Sequence, residues 1–211
     1  MKVKKSCVYL SYLMKEMEDY EYLLSVISHH CGPALEGVKV SSLLNIRNTG
    51  KRCLIDTWQE RKDEILDFFK IDAFTLKKEE NSEVVLLFRR ETLENHLKDS
   101  FHLDFLKRFG YREEWDCSEF LLHLKNRFTD CCPHEIGVFL GYTLCDVIDF
   151  MSCPNKECRL VGYWKVYNDE IAARELFRRF DEAKAISTGK TLRRIAQQRR
   201  TIRLGSNIKQ S

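Results

Sequence analysis

The stretch EVVLLFRR, residues 83–90, decides the fold that the sequence predicts. Five apolar residues in a row are followed by two arginines, which is typical of a strand that is buried on both faces. Two more stretches indicate strands. GVKVSSLLNI (37–46) alternates apolar and polar residues, and VGYWKVYND (161–169) is rich in aromatic and β-branched residues. We therefore expect a small sheet of about three strands.

Helical periodicity occupies most of the chain between these strands. With 211 residues, of which 44% are apolar and 32% charged, the chain is large enough to bury a sizeable core. The expected fold class is α+β, with a small sheet covered by several helices. The apolar spacing predicts helices over residues 17–30, 51–70, 92–97, 101–109, 118–128 and after residue 169.

The stretch CCPHEIGVFLGYTLCDVIDFM has the spacing of a helix-turn-helix, with two short helices that meet at Gly141. A helix that reads DNA needs cations and hydrogen-bond donors. The second helix instead carries Asp146 and Asp149, and carboxylates are repelled by the phosphate backbone. The sequence thus predicts a structural helical hairpin at residues 136–151 and argues against DNA binding by it.

Nine cysteines are many for this length, but their number is odd and their spacing is irregular. The first 19 residues contain no small-residue cleavage site, and no apolar run reaches the length of a membrane span. We therefore expect a cytoplasmic protein with reduced thiols and no membrane insertion, rather than a disulfide scaffold.

One hypothesis is a metal site, because ligands of the kind that bind zinc or iron cluster between residues 131 and 158. Their spacing is not diagnostic, since there is no CxxC pair and adjacent cysteines rarely bind one ion. Free cysteine is also among the most commonly buried residue types, so a place in the core is the alternative. The clustered residues are Cys131, Cys132, His134, Cys145, Cys153 and Cys158.

A second hypothesis is nucleophilic catalysis, in which a thiolate is assisted by a base and an orienting carboxylate. One candidate group is His29, His30 and Cys31 at a predicted helix end, and another is Cys131 or Cys132 beside His134 and Glu135 at the start of the hairpin. The alternative is structural. A carboxylate at a helix start complements the helix dipole, and Pro133 suits the first helical turn.

In GYWKVY, strand alternation places Trp164 and Val166 on one face, and Tyr163, Lys165 and Tyr167 on the other. The first face is predicted to belong to the core. Tyr163 and Tyr167 are candidates for stacking on a ring or a nucleotide base, and a solvated strand face with a snorkelling lysine is the alternative.

Charge is distributed unevenly along the chain. Eight of the 35 Lys and Arg residues follow Glu182 and none of the 32 acidic residues does, so residues 1–183 carry a formal charge of −5. The basic stretch 184–211 is a candidate for binding RNA, an acidic partner or an anionic surface. A solvated, frayed terminal helix is the alternative.

Four stretches resemble, in combination, the signature blocks of one family. They are HHCGPALEGVKVSSLLNI, VVLLFRRETLENHL, PHEIGVFLGYTLCDVIDF and VGYWKVYNDEIAARELFRRFDEAKA. They are similar to the bacterial domain-of-unknown-function family 3793, found mainly in anaerobic Gram-positive bacteria. The chain departs from the family pattern at Thr143, where a proline is usual. The expected organisation is an N-terminal extension (1–16), a single α+β domain (17–185) and a basic tail (186–211).

The resemblance implies no established activity. It associates the chain with iron-uptake and flavodoxin genes, so we expect a binding or accessory protein linked to metal, iron or flavin-associated redox processes. The resemblance places four residues in the family's sequence blocks: His30, Cys31, His134 and Glu135. It therefore favours a zinc or iron site made of His, Cys and Glu side chains over a site made of many cysteines. The alternatives are a small cysteine-dependent enzyme that uses Cys31, His134 and Glu135, and nucleic-acid binding through the basic tail.

Overall fold

A computed structural model describes residues 16–128, 132–153 and 155–208, with side chains as far as Thr201. Cys131 and residues 1–15 of the predicted extension lie outside the described residues. The helices are α1 (Asp19–His30), α2 (Gly32–Leu35), α3 (Leu54–Phe69), α4 (Arg90–Leu97), α5 (Ser100–Lys107), α6 (Cys117–Arg127), α7 (Ile136–Phe139), α8 (Leu144–Ser152) and α9 (Glu170–Ile208). The strands are β1 (Ser41–Arg47), β2 (Asp72–Glu79), β3 (Ser82–Phe88), β4 (Leu160–Val161) and β5 (Lys165–Val166).

Three strands form an antiparallel sheet in the order β1-β3-β2. The central strand is β3, which contains most of the EVVLLFRR run. It pairs with β1 from Ser41↔Phe88 to Arg47↔Ser82 without interruption. On its other side it forms a hairpin with β2. Its central place explains its composition, because a strand with helices on both faces must be apolar at successive positions.

The alternating side chains of β3 enter two hydrophobic cores on opposite faces of the sheet. Val85 and Leu87 pack with α1, α2 and α3, where Trp58 is almost wholly buried. Leu86 and Phe88 pack on the other side with α4, α5, α6, α7 and α8. The sheet is therefore the middle layer between two layers of helices.

A third, smaller core joins the β4–β5 hairpin to the first half of α9. Trp164 and Val166 pack there with Phe177 and Phe180. Gly162 permits this close approach, since a Cβ atom at that position would lie 2.3 Å from Cε2 of Phe177. The hairpin is thereby fixed against α9 and presents its other side to α8.

The α+β prediction is confirmed, as are the strands at 37–46 and 83–90 and the helical hairpin. The prediction for 161–169 is wrong in one respect. The chain reverses between Gly162 and Trp164, where the Gly162 amide donates to the Trp164 carbonyl at 3.1 Å, so this stretch forms a separate two-stranded hairpin. The third strand of the sheet is β2, which the sequence pattern did not predict.

The long helix α9 runs across the predicted boundary at residues 185 and 186 without a break. Beyond that boundary Ile195 is buried in the core beside α1 and α3. The described part of the predicted tail is thus packed on the sheet's helical layer. None of the described helices combines the length and the apolar character that a membrane crossing requires.

Replacing Gly162 with alanine is expected to lower the free energy of unfolding by about 1–3 kcal/mol, because the new methyl group overlaps the Phe177 ring. Gly189→Ala is the matched control. Gly189 lies inside α9 with its nearest neighbour, Nη2 of Arg193, 3.9 Å from the added Cβ, so alanine should stabilise the helix by about 0.5–1 kcal/mol. Urea unfolding followed by circular dichroism measures both. Unchanged stability of G162A would contradict the tight packing.

Candidate ligand-binding site

An apolar cleft of about 530 Å³ opens where the α7–α8 hairpin meets the β4–β5 hairpin. Much of its wall is formed by Leu43 of β1, by Ile136 and Leu140 at the two ends of the first hairpin helix, and by the rings of Phe150 and Trp164. The few polar side chains that line it are Cys132, His134, Asp146, Tyr163 and Lys165, together with the hydroxyl of Tyr142.

Two glycines give the α7–α8 hairpin its tight turn. Gly141 has φ 67°, in the left-handed region that glycine adopts without strain. At Gly137 an added Cβ would lie 2.7 Å from Cγ2 of Val147, so glycine lets the two helices pack closely. The spacing that suggested a helix-turn-helix therefore encodes a compact hairpin that forms one side of the cleft.

The hairpin is held to the rest of the site by the buried carboxylate of Asp146. Its Oδ2 accepts hydrogen bonds from Thr143 Oγ1 at 2.6 Å and from Trp164 Nε1 at 2.9 Å. Its Oδ1 accepts from the Tyr167 amide at 2.8 Å, the Asn168 amide at 3.0 Å and Asn168 Nδ2 at 2.9 Å. One carboxylate thus connects α8, the β4–β5 hairpin and the approach to α9.

Asp146 is stabilised by hydrogen bonds rather than by a salt bridge. Burial by itself raises the pKa of this carboxyl, but the hydrogen bonds from Thr143, Trp164, Tyr167 and Asn168 hold the pKa below its ordinary value. A carboxylate that accepts several hydrogen bonds is favoured in its charged form. The acidic residue that argued against DNA binding therefore has a structural role inside the fold.

His134 and Lys165 stand on two sides of the cleft, with Phe150 between them. The exposed His134 ring meets Phe150 edge to face, with ring centroids 5.2 Å apart. Lys165 Nζ lies 5.9 Å from the centroid of the same Phe150 ring. The cleft therefore combines an aromatic surface with two groups that can donate hydrogen bonds to a ligand.

Glu135 follows His134 in the sequence but points away from the cleft. Its carboxylate is buried and accepts a hydrogen bond from Nε of Arg127 at the end of α6. Burial raises the pKa of the nearby Tyr111, and the negative charge of Glu135 raises it further. Glu135 thus joins α6 to the hairpin, while His134 is left to the cleft.

Cys31 is wholly buried in the core formed with α1, α2 and α3. Burial raises the pKa of its thiol to about 12, and the nearby charges of Lys39 and Lys184 offset this only in part. His30 lies at the surface, where partial desolvation of its ring, together with the charges of His29 and Lys184, lowers its pKa. The structure does not join Cys31 to His134 and Glu135 in one site.

Across residues 16–128, 132–153 and 155–208, no three or more His, Cys, Asp and Glu side chains are grouped so that they could hold a metal ion. The predicted ligands are dispersed. Cys132 lies at the cleft, Cys145 and Cys153 are exposed on or just after α8, and Cys158 is half-buried. Cys131 is outside the described residues.

The two tyrosines proposed for stacking are in different surroundings. Tyr163 lines the cleft, and its hydroxyl donates a hydrogen bond to Asp181 at 2.8 Å. Lys184 Nζ lies 4.4 Å from the centroid of the Tyr163 ring. Tyr167 is buried, so it is not on a solvated strand face as strand alternation predicted. Strand alternation does not separate a buried face from a solvated face here, because each strand of this hairpin has only two residues.

Several basic residues of the predicted tail contact the body of the protein. Arg199 pairs with Glu21 of α1, and Lys190 pairs with Glu36 at 2.6 Å. Arg194 donates to the Phe68 carbonyl at 2.8 Å and lies over the Phe68 ring. These contacts give Arg199, Lys190 and Arg194 intramolecular partners and do not indicate a binding partner.

Sequence reasoning missed the residues that shape the cleft most. Trp164 was predicted to be core, which is confirmed, but its second role in lining the cleft and stacking on Tyr142, with ring centroids 4.9 Å apart, was not predicted. Phe150 and Lys165 are far from each other in sequence and meet only because Asp146 anchors the hairpin. The one usable signal was the acidic residue Asp146 inside an apolar helical stretch, because a carboxylate at a buried position needs hydrogen-bond partners.

A comparison with known families identifies one match. The family described as "Protein of unknown function (DUF3793)" matches residues 27–202, which include both hairpins of the cleft and most of α9. No curated protein and no solved structure matches the chain.

Replacing Asp146 with asparagine is expected to lower the free energy of unfolding at pH 7 by about 2–4 kcal/mol, because a neutral amide leaves several buried donors without a good acceptor. Since the folded-state pKa lies below the ordinary 3.8, the contribution of Asp146 is present above that pH and is lost as the pH falls through the folded pKa. Unfolding measured from pH 7 to pH 2 should therefore show that the difference in stability between the wild-type and Asp146→Asn chains shrinks as the pH falls.

Asp149→Asn is the matched control for this change. Asp149 lies one turn further along α8 and accepts from Lys156 at 2.7 Å near the surface, so its replacement should cost less stability than that of Asp146. If the two variants are equally stable at pH 7, Asp146 does not anchor the hairpin.

Cys31 is expected to resist alkylation in the folded protein, because its thiol is buried and its raised pKa leaves little thiolate at pH 8. Iodoacetamide labelling followed by peptide mass spectrometry should modify the exposed Cys53 and Cys153 well before Cys31. All three should react after unfolding in urea. Labelling of Cys31 at the rate of Cys53 in the native protein would restore the hypothesis of a nucleophilic Cys31.

Proposed function

Since the chain belongs to the DUF3793 family of unknown function, we propose its function from the cleft: it binds a small aromatic ligand that carries a negative charge. The observation that carries the proposal is an apolar, aromatic-walled cleft with a lysine and a histidine at its edge. The chain is then a ligand-binding or accessory protein.

The size and composition of the cleft support a small molecule. A volume of about 530 Å³ lies within the range of small-molecule and cofactor sites. Such sites are lined mainly by apolar and aromatic side chains, with a few polar groups that fix the ligand's orientation. The arrangement of Leu140, Phe150 and Trp164 around His134 and Lys165 follows this pattern.

The aromatic wall is preorganised to receive a ring. Trp164 is stacked on Tyr142 at an interplanar angle of 24°, and its other contact is an edge-to-face packing against Phe177 with centroids 4.7 Å apart. The indole N–H is bound to Asp146. Because these three contacts fix the orientation of the tryptophan, a ligand meets a rigid wall and little side-chain entropy is lost on binding.

Charge selects among aromatic ligands. Lys165 is the exposed ammonium group at the cleft, and the carboxylate that also lines the cleft, Asp146, is already occupied by five internal hydrogen bonds. An anionic substituent such as a carboxylate, sulfonate or phosphate therefore finds an ammonium partner. Among the described residues that line the cleft, no other carboxylate is present to receive a cationic ligand.

This proposal gives a concrete form to the flavin-associated role that the sequence resemblance implies, since a flavin phosphate is a flat ring system with an anionic group. The proposed metal role of His30, Cys31, His134 and Glu135, with zinc or iron, is not supported by the placement of these residues in the described chain. The enzymatic alternative with Cys31 likewise lacks a shared site.

Titration with 8-anilinonaphthalene-1-sulfonate and with riboflavin 5′-phosphate tests the proposal. Binding should quench the fluorescence of Trp164, and calorimetry should give a stoichiometry near one. Lys165→Met should weaken binding of both anions about tenfold, because a charge-assisted contact is lost. Uncharged riboflavin should be affected much less by this substitution.

Lys125→Met is the matched control, since Lys125 is exposed on α6 and does not line the cleft. It should leave all affinities unchanged. Equal effects of the two lysine variants, or saturation of neither probe by the folded protein at millimolar concentration, would contradict the proposed ligand class.

A further inference from the structure

A second groove, of about 380 Å³, runs between α1 and the open edge of β1. The strand contributes the consecutive residues 43–47, and α1 contributes Tyr22, Val26 and His30. Successive side chains of a strand point to opposite faces. A wall made of consecutive residues is therefore the backbone edge of the strand rather than one of its faces.

This edge carries backbone groups that the sheet does not use. Within the ranges that the structure describes, β1 pairs with β3 alone, and no other backbone–backbone hydrogen bond involves residues 41–47. At the end of the strand the Arg47 carbonyl accepts a hydrogen bond from Thr49 Oγ1 at 3.4 Å. Alternate N–H and C=O groups of an edge strand point outward and can pair with a further strand. The groove therefore offers hydrogen-bonding groups along its floor.

The two edges of the sheet differ in their protection. On β2 the register shifts between Thr75 and Lys77, and Lys77 and Lys78 place charges along the strand. Bulges and lysines are devices that keep an edge strand from pairing with another chain. β1 has neither, since its pairing with β3 is continuous from Ser41 to Arg47. The edge of β1 is thus the one suited to receive a strand.

The charge of the groove indicates the chemistry of its occupant. The side chains with basic groups that line it are Arg47 and His30, and no Asp or Glu lines it. Arg47 is exposed, and it makes no ion pair with any residue that the structure describes. A second copy of this chain would bring no carboxylate to Arg47 through its own β1, whose sequence is SSLLNIR. An acidic segment of another protein supplies the missing charge.

We propose that β1 binds an extended, acidic peptide segment of a partner protein, which adds to the sheet as a fourth strand in the groove between α1 and β1. Main-chain hydrogen bonds hold about five peptide residues along the strand, at about 3.3 Å per residue. Every second side chain contacts Tyr22 and Val26 of α1, and a carboxylate pairs with Arg47. Strand addition of this kind gains affinity from the backbone and specificity from the side-chain contacts.

The experiment uses the full chain and three synthetic peptides with blocked ends. The first is Glu-Val-Thr-Val-Thr-Val-Glu, the second has lysine in place of both glutamates, and the third has proline in place of both threonines. Calorimetry should show binding of the first peptide, at least tenfold weaker binding of the second, and none of the third. Amide hydrogen exchange by NMR should show that alternate amides of residues 42–46 become protected with the first peptide and do not change with the third.

Two pairs of variants locate the binding. Val26→Trp should block the groove and abolish binding, while Val161→Trp, the same change at an exposed site on β4, should have no effect. Arg47→Glu should reverse the preference, so that the lysine peptide binds better than the glutamate peptide. A reversal of this kind does not arise from a loss of folding. It therefore separates charge recognition from stability.

The proposal is overturned by any of three results. One is that the first peptide fails to bind at millimolar concentration. Another is that every amide of residues 42–46 is already protected from hydrogen exchange in dilute protein without peptide. The edge of β1 would then be covered by another part of this chain or, if sedimentation shows a dimer, by a second copy. The last is that Arg47→Glu weakens both charged peptides equally. Because this groove and the apolar cleft have separate probes, either proposal can fail without the other.

Discussion

The site depends on one constraint, the need of the Asp146 carboxylate for hydrogen bonds. A charge that is buried without a cation is unfavourable by several kcal/mol unless donors surround it. Five donors do so, and they come from α8, from the β4–β5 hairpin and from the segment that leads into α9. If these parts separated, the Asp146 carboxylate and its donors would lose their hydrogen bonds to each other. The arrangement therefore fixes the orientation of Trp164, and with it the shape of the cleft.

The sheet supplies the frame on which this arrangement rests. Because β3 is apolar on both faces, it holds two helical layers, and β1 is left at an edge where the layers leave space. Leu43 of β1 lines both the apolar cleft and the groove beside α1. The proposed ligand site and the proposed peptide site thus lie at neighbouring parts of one strand, although they differ in chemistry. The first is an aromatic pocket, and the second is a polar backbone edge with a cationic end.

Local patterns in the sequence predicted individual helices and strands better than they predicted which of them pair or pack together. The hydrophobic run was sufficient to predict β3, and the glycine spacing was sufficient to predict the α7–α8 hairpin. The strand β2 was missed because only Leu76 of its eight residues is buried, so an edge strand with lysines gives almost no periodic signal. The stretch around Trp164 was correctly expected to be extended, but nothing local shows that it pairs with itself instead of with the sheet.

The candidate site was harder to predict because neighbouring polar residues diverge in space. His134 and Glu135 were expected to act together, yet the turn before α7 directs one to the cleft and the other to Arg127. Cys31 was chosen for its chemistry, and burial then removes that chemistry by raising the thiol pKa. Asp146 was interpreted through its charge alone, as a residue that repels DNA. The role of each residue is decided by its burial and its hydrogen-bond partners, and for Asp146 most of these partners lie about twenty residues away in the sequence. A sequence pattern shows which groups need partners, and the fold determines which of them are left for a ligand.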